Sequence, residues 1–179
     1  MVAMNTKNLS LVPHFPAHLL ALMEGEAVYE KSSGMRVANG VRDFLLAGSA
    51  DYFAQLRIDT NPDPWKIGFG IVHKIDNLLI GLCAFTGPPD PDGIVEIAYS
   101  IAPAYQRKGL ATEAAAALVE FATQSGRVRT VIAHTLAEIN PSTRVLEKCG
   151  FKKTAEVIDE ENILIWRWEK SVSSAPNQM

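Results

Sequence analysis

The chain has 179 residues, a mass of 19.5 kDa and a net charge of −3, which is one domain at about 150 residues each. With 47% hydrophobic and 21% charged residues, disorder as the main state is excluded, and no stretch reaches the ~20 apolar residues of a membrane span. The acidic balance argues against a general nucleic-acid binder. The first fourteen residues lack a continuous apolar run, so no secretory signal is expected and the expected compartment is the cytoplasm. Cys83 and Cys149 lie in apolar patterns without a CxxC or Cys/His cluster, which excludes a zinc or disulfide framework.

Leu9–Val12 reads as a short strand stopped by Pro13, and Pro16 opens a helix over Ala17–Glu24. Residues 25–60 read as helical pieces punctuated by Gly34, Gly40 and Gly48. Ile67–Val72 and Leu78–Phe85 form a hairpin across Asp76-Asn77. The run TGPPDPDG, Thr86–Gly93, is a loop, and Ile94–Ile101 is the next strand. Gly109–Ser125 is the clearest helix, with Leu110, Ala114, Leu118, Phe121 and Ala122 on one stripe. A strand follows over Thr130–Leu136, then a helix from Pro141 to Cys149 closed by Gly150. Phe151–Val157 and Asn162–Trp168 read as a closing antiparallel pair, and residues 171–179 as a polar tail. Hairpins mixed with two helical crossovers predict an α+β fold on a mixed sheet, in one domain over residues 1–170.

Charge is unevenly placed. Residues 103–153 carry eight Lys/Arg and four acids, so a basic region stands on an acidic protein and suits a small anionic ligand. Its centre is the strand–loop–helix junction AYSIAPAYQRKGLA. Gln106, Arg107, Lys108 and Gly109 fall where the free N–H groups of the helix begin. Those donors and the positive helix end make an anion site for a phosphate or pyrophosphate. Gly109 lets the backbone come close, and Arg107 and Lys108 add full charge. No nucleotide-type phosphate loop is present.

The segment QRKGLA matches the Q/R-x-x-G-x-G/A signature of the GNAT-superfamily acetyltransferases, with Ala111 in the last small position. Together with EIAYSIAPAY before it and HTLAEINPSTRVLEKCGF after it, the chain resembles the branch of ribosomal-protein N-terminal acetyltransferases over about residues 65–168. The resemblance implies a GNAT-like mixed central sheet, helices on both faces, and splayed parallel strands Ile94–Ala102 and Thr130–Leu136. It implies acetyl-CoA held at Gln106, Arg107, Lys108, Gly109, Leu110, Ala111 and Thr112, with its pantetheine arm along Ile101 and Ala102 and near Asn140 and Arg144. It also implies direct transfer to a primary amine, on a protein N-terminus or a small molecule, with residues 25–60 and the loop near 86–93 receiving it. Neither nucleic acid nor membrane is an expected partner.

An ammonium of pKa ~8 to ~10 must lose a proton before it can attack, and Glu96 matches a glutamate that often serves as that base. Two departures from the family stand out. The usual helix tyrosine is absent from Arg144-Val145-Leu146-Glu147, which leaves Ser142, or less directly Tyr99, to protonate the leaving thiolate. The usual N-x-x-S spacing is replaced by Asn140-Pro141-Ser142. A coenzyme A-binding module without catalysis is the alternative reading.

Other residues have plainer readings. Glu113 is expected to complement the helix dipole, His134 to be a hydrogen-bonded structural histidine, and Cys149 a small core residue. Trp166 and Trp168 are expected to cover the core from one strand face, and Arg127 and Arg129 to be solvated turn charges.

Overall fold

The computed structural model describes residues 3–172. The elements run β1 (Met4–Asn5), β2 (Leu9–Pro13), α1 (Pro16–Glu24), α2 (Glu26–Ser33), β3 (Arg36–Val37), α3 (Val41–Leu46), α4 (Ala50–Ile58), β4 (Phe69–His73), β5 (Leu78–Phe85) and β6 (Ile94–Ile101). A 3-10 turn at Pro103–Tyr105 leads to α5 (Leu110–Gln124), β7 (Thr130–Leu136), α6 (Pro141–Lys148), β8 (Lys152–Ile158) and β9 (Leu164–Ser171). Among the described residues the strands form one mixed sheet of order β1-β2-β4-β5-β6-β7-β9-β8, with β3 pairing β5 from the side. This is the α+β, GNAT-like architecture, and helices flank the sheet.

The amphipathic stripe of α5 drives its packing. Ala114, Leu118 and Ala122 are fully buried, and Phe121 stacks against Phe69, Phe85 and Trp65. Adjacent strand residues point to opposite faces. Phe69 therefore turns toward α5, while Gly70 leaves room on the other face for the ring of His14. Residues of α3 and α4 close that second face over β5 and β6.

β6 and β7 are parallel, and α5 is the crossover that such a pair requires. Their register has only three pairs, Ile94 with Thr130, Val95 with Val131 and Glu96 with Ile132. Beyond them β6 stays with β5 as far as Ile101, and β7 stays with β9 as far as Leu136. The two strands thus open into a V. The Trp168 indole N–H donates to Thr135 Oγ1 at 3.0 Å, holding β9 firmly on β7.

Some boundaries differ from the sequence reading. Gly68 adopts φ +91° with its backbone tight against Ala84, so β4 begins at Phe69 instead of Ile67. Asn162 sits at φ +63° in a turn whose Asp159 carboxylate accepts two backbone N–H groups, so β9 begins at Leu164. β9 then runs on to Ser171, which pairs with Thr130 and belongs to the sheet. Val172 N–H donates to Arg129 C=O at 2.9 Å, and residues 173–179 of the expected tail lie outside the described residues. No helix among the described residues is long and apolar enough to cross a membrane.

Candidate active site

The phosphate-type loop is built as an open helix start. Gly109 is the N-cap of α5 with φ +75°, and no side chain caps the helix. The first intrahelical bond is Glu113 N–H to Gly109 C=O, so the N–H groups of Leu110, Ala111 and Thr112 remain unspent. A Cβ added at Gly109 would meet no heavy atom within 4 Å. Arg107 has φ +62°, and Gln106 Nε2 donates to Ile101 C=O at 2.9 Å, which pins the loop to the end of β6. Arg107 and Lys108 are exposed, and Lys108 Nζ lies 5.2 Å from the Tyr105 ring centre. The side chain of Leu110 is buried in the core, so only its backbone faces the loop.

The V supplies the second part. The Thr86 and Ala102 N–H groups donate to Glu96 and Ile80 carbonyls across the β5–β6 ladder. Backbone direction alternates along a strand, so Ile97, Tyr99 and Ile101 turn their amides toward β7. The last parallel pair, Glu96 with Ile132, spends the Ile97 N–H on the Ile132 carbonyl, and those of Tyr99 and Ile101 face the opening. This corrects the pairing expected near Ala102. Its N–H is spent on Ile80 at 2.7 Å and the residue is fully buried. The free amides belong to Tyr99 and Ile101, and the sequence reading missed Tyr99 because strand phase is set by the partner strand.

The N-terminus of α6 stands beside the V. Asn140 Oδ1 accepts the Thr143 N–H and Thr143 Oγ1 accepts the Asn140 N–H, both at 3.0 Å, a reciprocal capping box. The Asn140 carbonyl oxygen is therefore occupied, and its NH₂ group is the part left to meet a ligand. Ser142 is half-buried and Arg144 exposed on the first turn. The Tyr99 hydroxyl donates to the Ser142 carbonyl at 3.3 Å, tying β6 to α6. Burial raises the Tyr99 phenol to about 12.

Glu96 and His134 meet across the mouth of the V. His134 Nδ1 lies 2.7 Å from Glu96 Oε1, with both side chains about one-quarter exposed. Their strands are joined only in three dimensions, so the sequence reading left His134 as a plain structural residue.

Glu96, Ala98 and Ser100 share one sheet face. Ala98 and Ser100, with Leu82 and Ala84, line a cleft of about 680 Å³. Phe44, Asp51, Tyr52 and Gln55 line it from α3 and α4, and Thr86 and Gly87 from the loop. The floor is made of small side chains, and Ala98 is exposed there.

The structure also places the remaining residues. Glu113 accepts hydrogen bonds from Thr6 and Asn8, so it ties the N-terminal hairpin to α5 in addition to sitting at the positive helix end. Arg127 is exposed, as expected, and its guanidinium lies 5.7 Å from the Trp65 ring centre. Cys149 is buried, and its thiol donates weakly to Thr112 C=O at 3.5 Å. Among the described residues no group of three or more His, Cys, Asp or Glu is arranged to hold a metal ion.

An open helix start beside a V in a mixed sheet is the arrangement the sequence resemblance implies. The Acetyltransferase (GNAT) domain family matches residues 11–152. The chain belongs to this family. An uncharacterized N-acetyltransferase of Bacillus subtilis (strain 168), YjdG, is 30% identical over 100 residues, which span 56% of this chain and 60% of that protein. RimL, a ribosomal L7/L12 alpha-N-protein acetyltransferase solved with coenzyme A, superposes with a TM-score of 0.67 at 12% identity, covering 97% of this chain and 99% of that one. A GNAT-family acetyltransferase from Bacillus anthracis gives 0.64 at 17% identity, covering 95% and 98%. At these identities the solved structures show a shared fold.

Proposed function

We propose that the chain is a cytoplasmic N-acetyltransferase, one catalytic domain over residues 1–170, that uses acetyl-CoA to acetylate a primary amine directly. The observation that carries this reading is the pairing of two unfilled features, the uncapped N–H groups of α5 and the outward amides of Tyr99 and Ile101. One suits a pyrophosphate and the other an extended amide-bearing arm, and acetyl-CoA carries both.

When bound, acetyl-CoA supplies the thioester. Arg107 and Lys108, with the N–H groups of Gly109 to Thr112, hold the pyrophosphate. The amide of Ile101 and the Asn140 NH₂ orient the arm, and Arg144 adds charge at the rim. A β6 amide in the V stabilises the oxygen on which charge develops. Glu96 provides the base function, and Ser142 donates toward the leaving sulfur. A thiol of pKa ~8.5 is also a competent leaving group unaided. The RimL likeness makes a protein N-terminus one candidate acceptor, and a small amine reaching the cleft is the other.

The test is a panel of peptides and amines with thiol release as the readout. Release with any acceptor supports the reading. Coenzyme A binding without release across a broad panel supports a binding module instead.

A further inference from the structure

From the 2.7 Å contact between His134 Nδ1 and Glu96 Oε1 across the V, we infer that His134 is the proton acceptor of the site and that Glu96 positions it. This rests on the transferase reading above and moves the base function in it from Glu96 to His134.

A contact this short between a ring nitrogen and a carboxylate oxygen needs a hydrogen between them. With Glu96 ionised, that hydrogen is on Nδ1. A neutral imidazole with hydrogen on Nδ1 has its lone pair on Nε2. No group among the described residues bonds Nε2, and the side chain is one-quarter exposed. The carboxylate thus fixes both the tautomer and the ring direction, as the third member of a nucleophile–base–orienter set does.

The setting suits this role. Glu96 and Ile132 are register partners, and His134 lies two residues further along β7 on the same face. That is the face where Ala98 and Ser100 floor the cleft. The ring therefore stands where the strands begin to part. The charged groups facing it are few. Glu96 comes from β6, and Arg167 of β9 is directly opposite, paired at 3.4 Å with Glu169. Lys152 of β8 stands opposite Glu169. Arg167 is thus partly neutralised by Glu169, and Glu96 is the carboxylate bonded to the ring.

An imidazole is also the better base for this chemistry. Efficiency is greatest when the base titrates near the working pH, and imidazole, ordinarily near 6.5, is closer to it than a carboxylate. The step balances as follows. An N–H bond of the ammonium breaks and its proton goes to Nε2. The freed lone pair forms the C–N bond while the C–S bond of the thioester breaks. The amine's second proton goes to the thiolate, and Nε2 returns the first to water. Ammonium and thioester give amide, thiol and one proton.

Two measurements test the inference. In the ligand-free protein at neutral pH, ¹⁵N NMR of the imidazole is expected to show His134 with hydrogen on Nδ1 and Nε2 unprotonated. Hydrogen on Nε2 in the neutral ring would overturn it. In turnover, His134→Gln is expected to lower kcat by ~10²–10⁴-fold. KM for acetyl-CoA should stay near wild type, and the acidic limb of the pH–rate profile should be lost. Glu96→Gln should lower kcat less and keep an acidic limb. If Glu96→Gln removes the limb and His134→Gln keeps it, Glu96 is the base and the inference fails, with the transferase reading intact. Wild type without thiol release would fail that reading instead. Unchanged melting of both variants separates these outcomes from misfolding.

Discussion

Glu113, in the first turn of α5, accepts the backbone N–H of Asn8 at 2.7 Å. The two residues are 105 positions apart, so one carboxylate joins the start of the chain to the helix that follows the V. Burial works to raise this carboxyl, and the bonds from Thr6, Asn8 and Leu9 outweigh it, leaving its pKa below the ordinary value.

Glu113→Gln is therefore expected to destabilise the fold by about 1 kcal/mol, in the lower range for bonds to a charged group because the site is partly solvated. A depressed carboxyl contributes stability at pH values above its unfolded pKa, and the contribution fades as pH falls through the folded pKa. The stability gap between wild type and variant should thus be full at pH 7 and close in acid. Chemical denaturation at several pH values measures it, and a gap constant with pH would show that charge is not what Glu113 contributes.

Saturating acetyl-CoA should raise the melting temperature. At a hundred times Kd the gain is ~2.7 kcal/mol, or roughly 5–11 °C for a chain of this size. Gly109 supplies the control. Asn and Asp both tolerate the left-handed backbone found there, and the site has room for either. Gly109→Asp should weaken coenzyme A binding at least about tenfold more than Gly109→Asn, because only Asp sets a negative charge against a pyrophosphate. Equal affinities by calorimetry would remove the loop from the binding site.

Cys149→Ala should keep kcat within about twofold. Burial holds this thiol above its ordinary pKa, with Lys170 acting weakly the other way, so it is a poor thiolate. The expected loss is in stability, about 1 kcal/mol for a small cavity beside Thr112. An acetyl-cysteine adduct found by mass spectrometry would contradict direct transfer.

His14 is buried, accompanied by Tyr29 at 2.8 Å from Nε2, and its Nδ1 has no partner among the described residues. Burial, and then the like charge of His18, lowers its pKa to about 3. The unfolded chain takes up this proton near pH 6.5 and the folded chain only near pH 3. Stability should therefore fall as pH drops through that window, by up to about 1.4 kcal/mol per pH unit from this group. In His14→Gln the stability–pH slope should be shallower there. Identical slopes would show that His14 is not the group responsible.

Much of the architecture was legible because it depends on local pattern. The apolar stripe from Leu110 to Ala122 announces α5, and Gly109 announces where it starts. Two-residue strands such as β1 and β3 have no periodicity to read, since each is defined by the partner it meets. Phase has the same origin. Only the β5 register shows that Ala102 spends its N–H on Ile80 while Ile101 does not. The pairs Glu113–Asn8 and Glu96–His134 were illegible for a related reason. Each residue has an adequate local explanation, helix dipole or strand polarity, and the actual partner arrives through the topology.

Three residue pairs, Ile94–Thr130 to Glu96–Ile132, stitch the N-terminal strands to β7, β9 and β8. From β2 across to β8 this middle seam is the shortest, so the sheet is most readily unzipped beside the proposed site. A guest lying along the β6 amides acts as a temporary strand that completes the fabric. On the proposed reading stiffness becomes a property of occupancy, present while the thioester is held and surrendered when the spent thiol leaves. The pace of turnover would be tied to how fast the sheet can be unpicked.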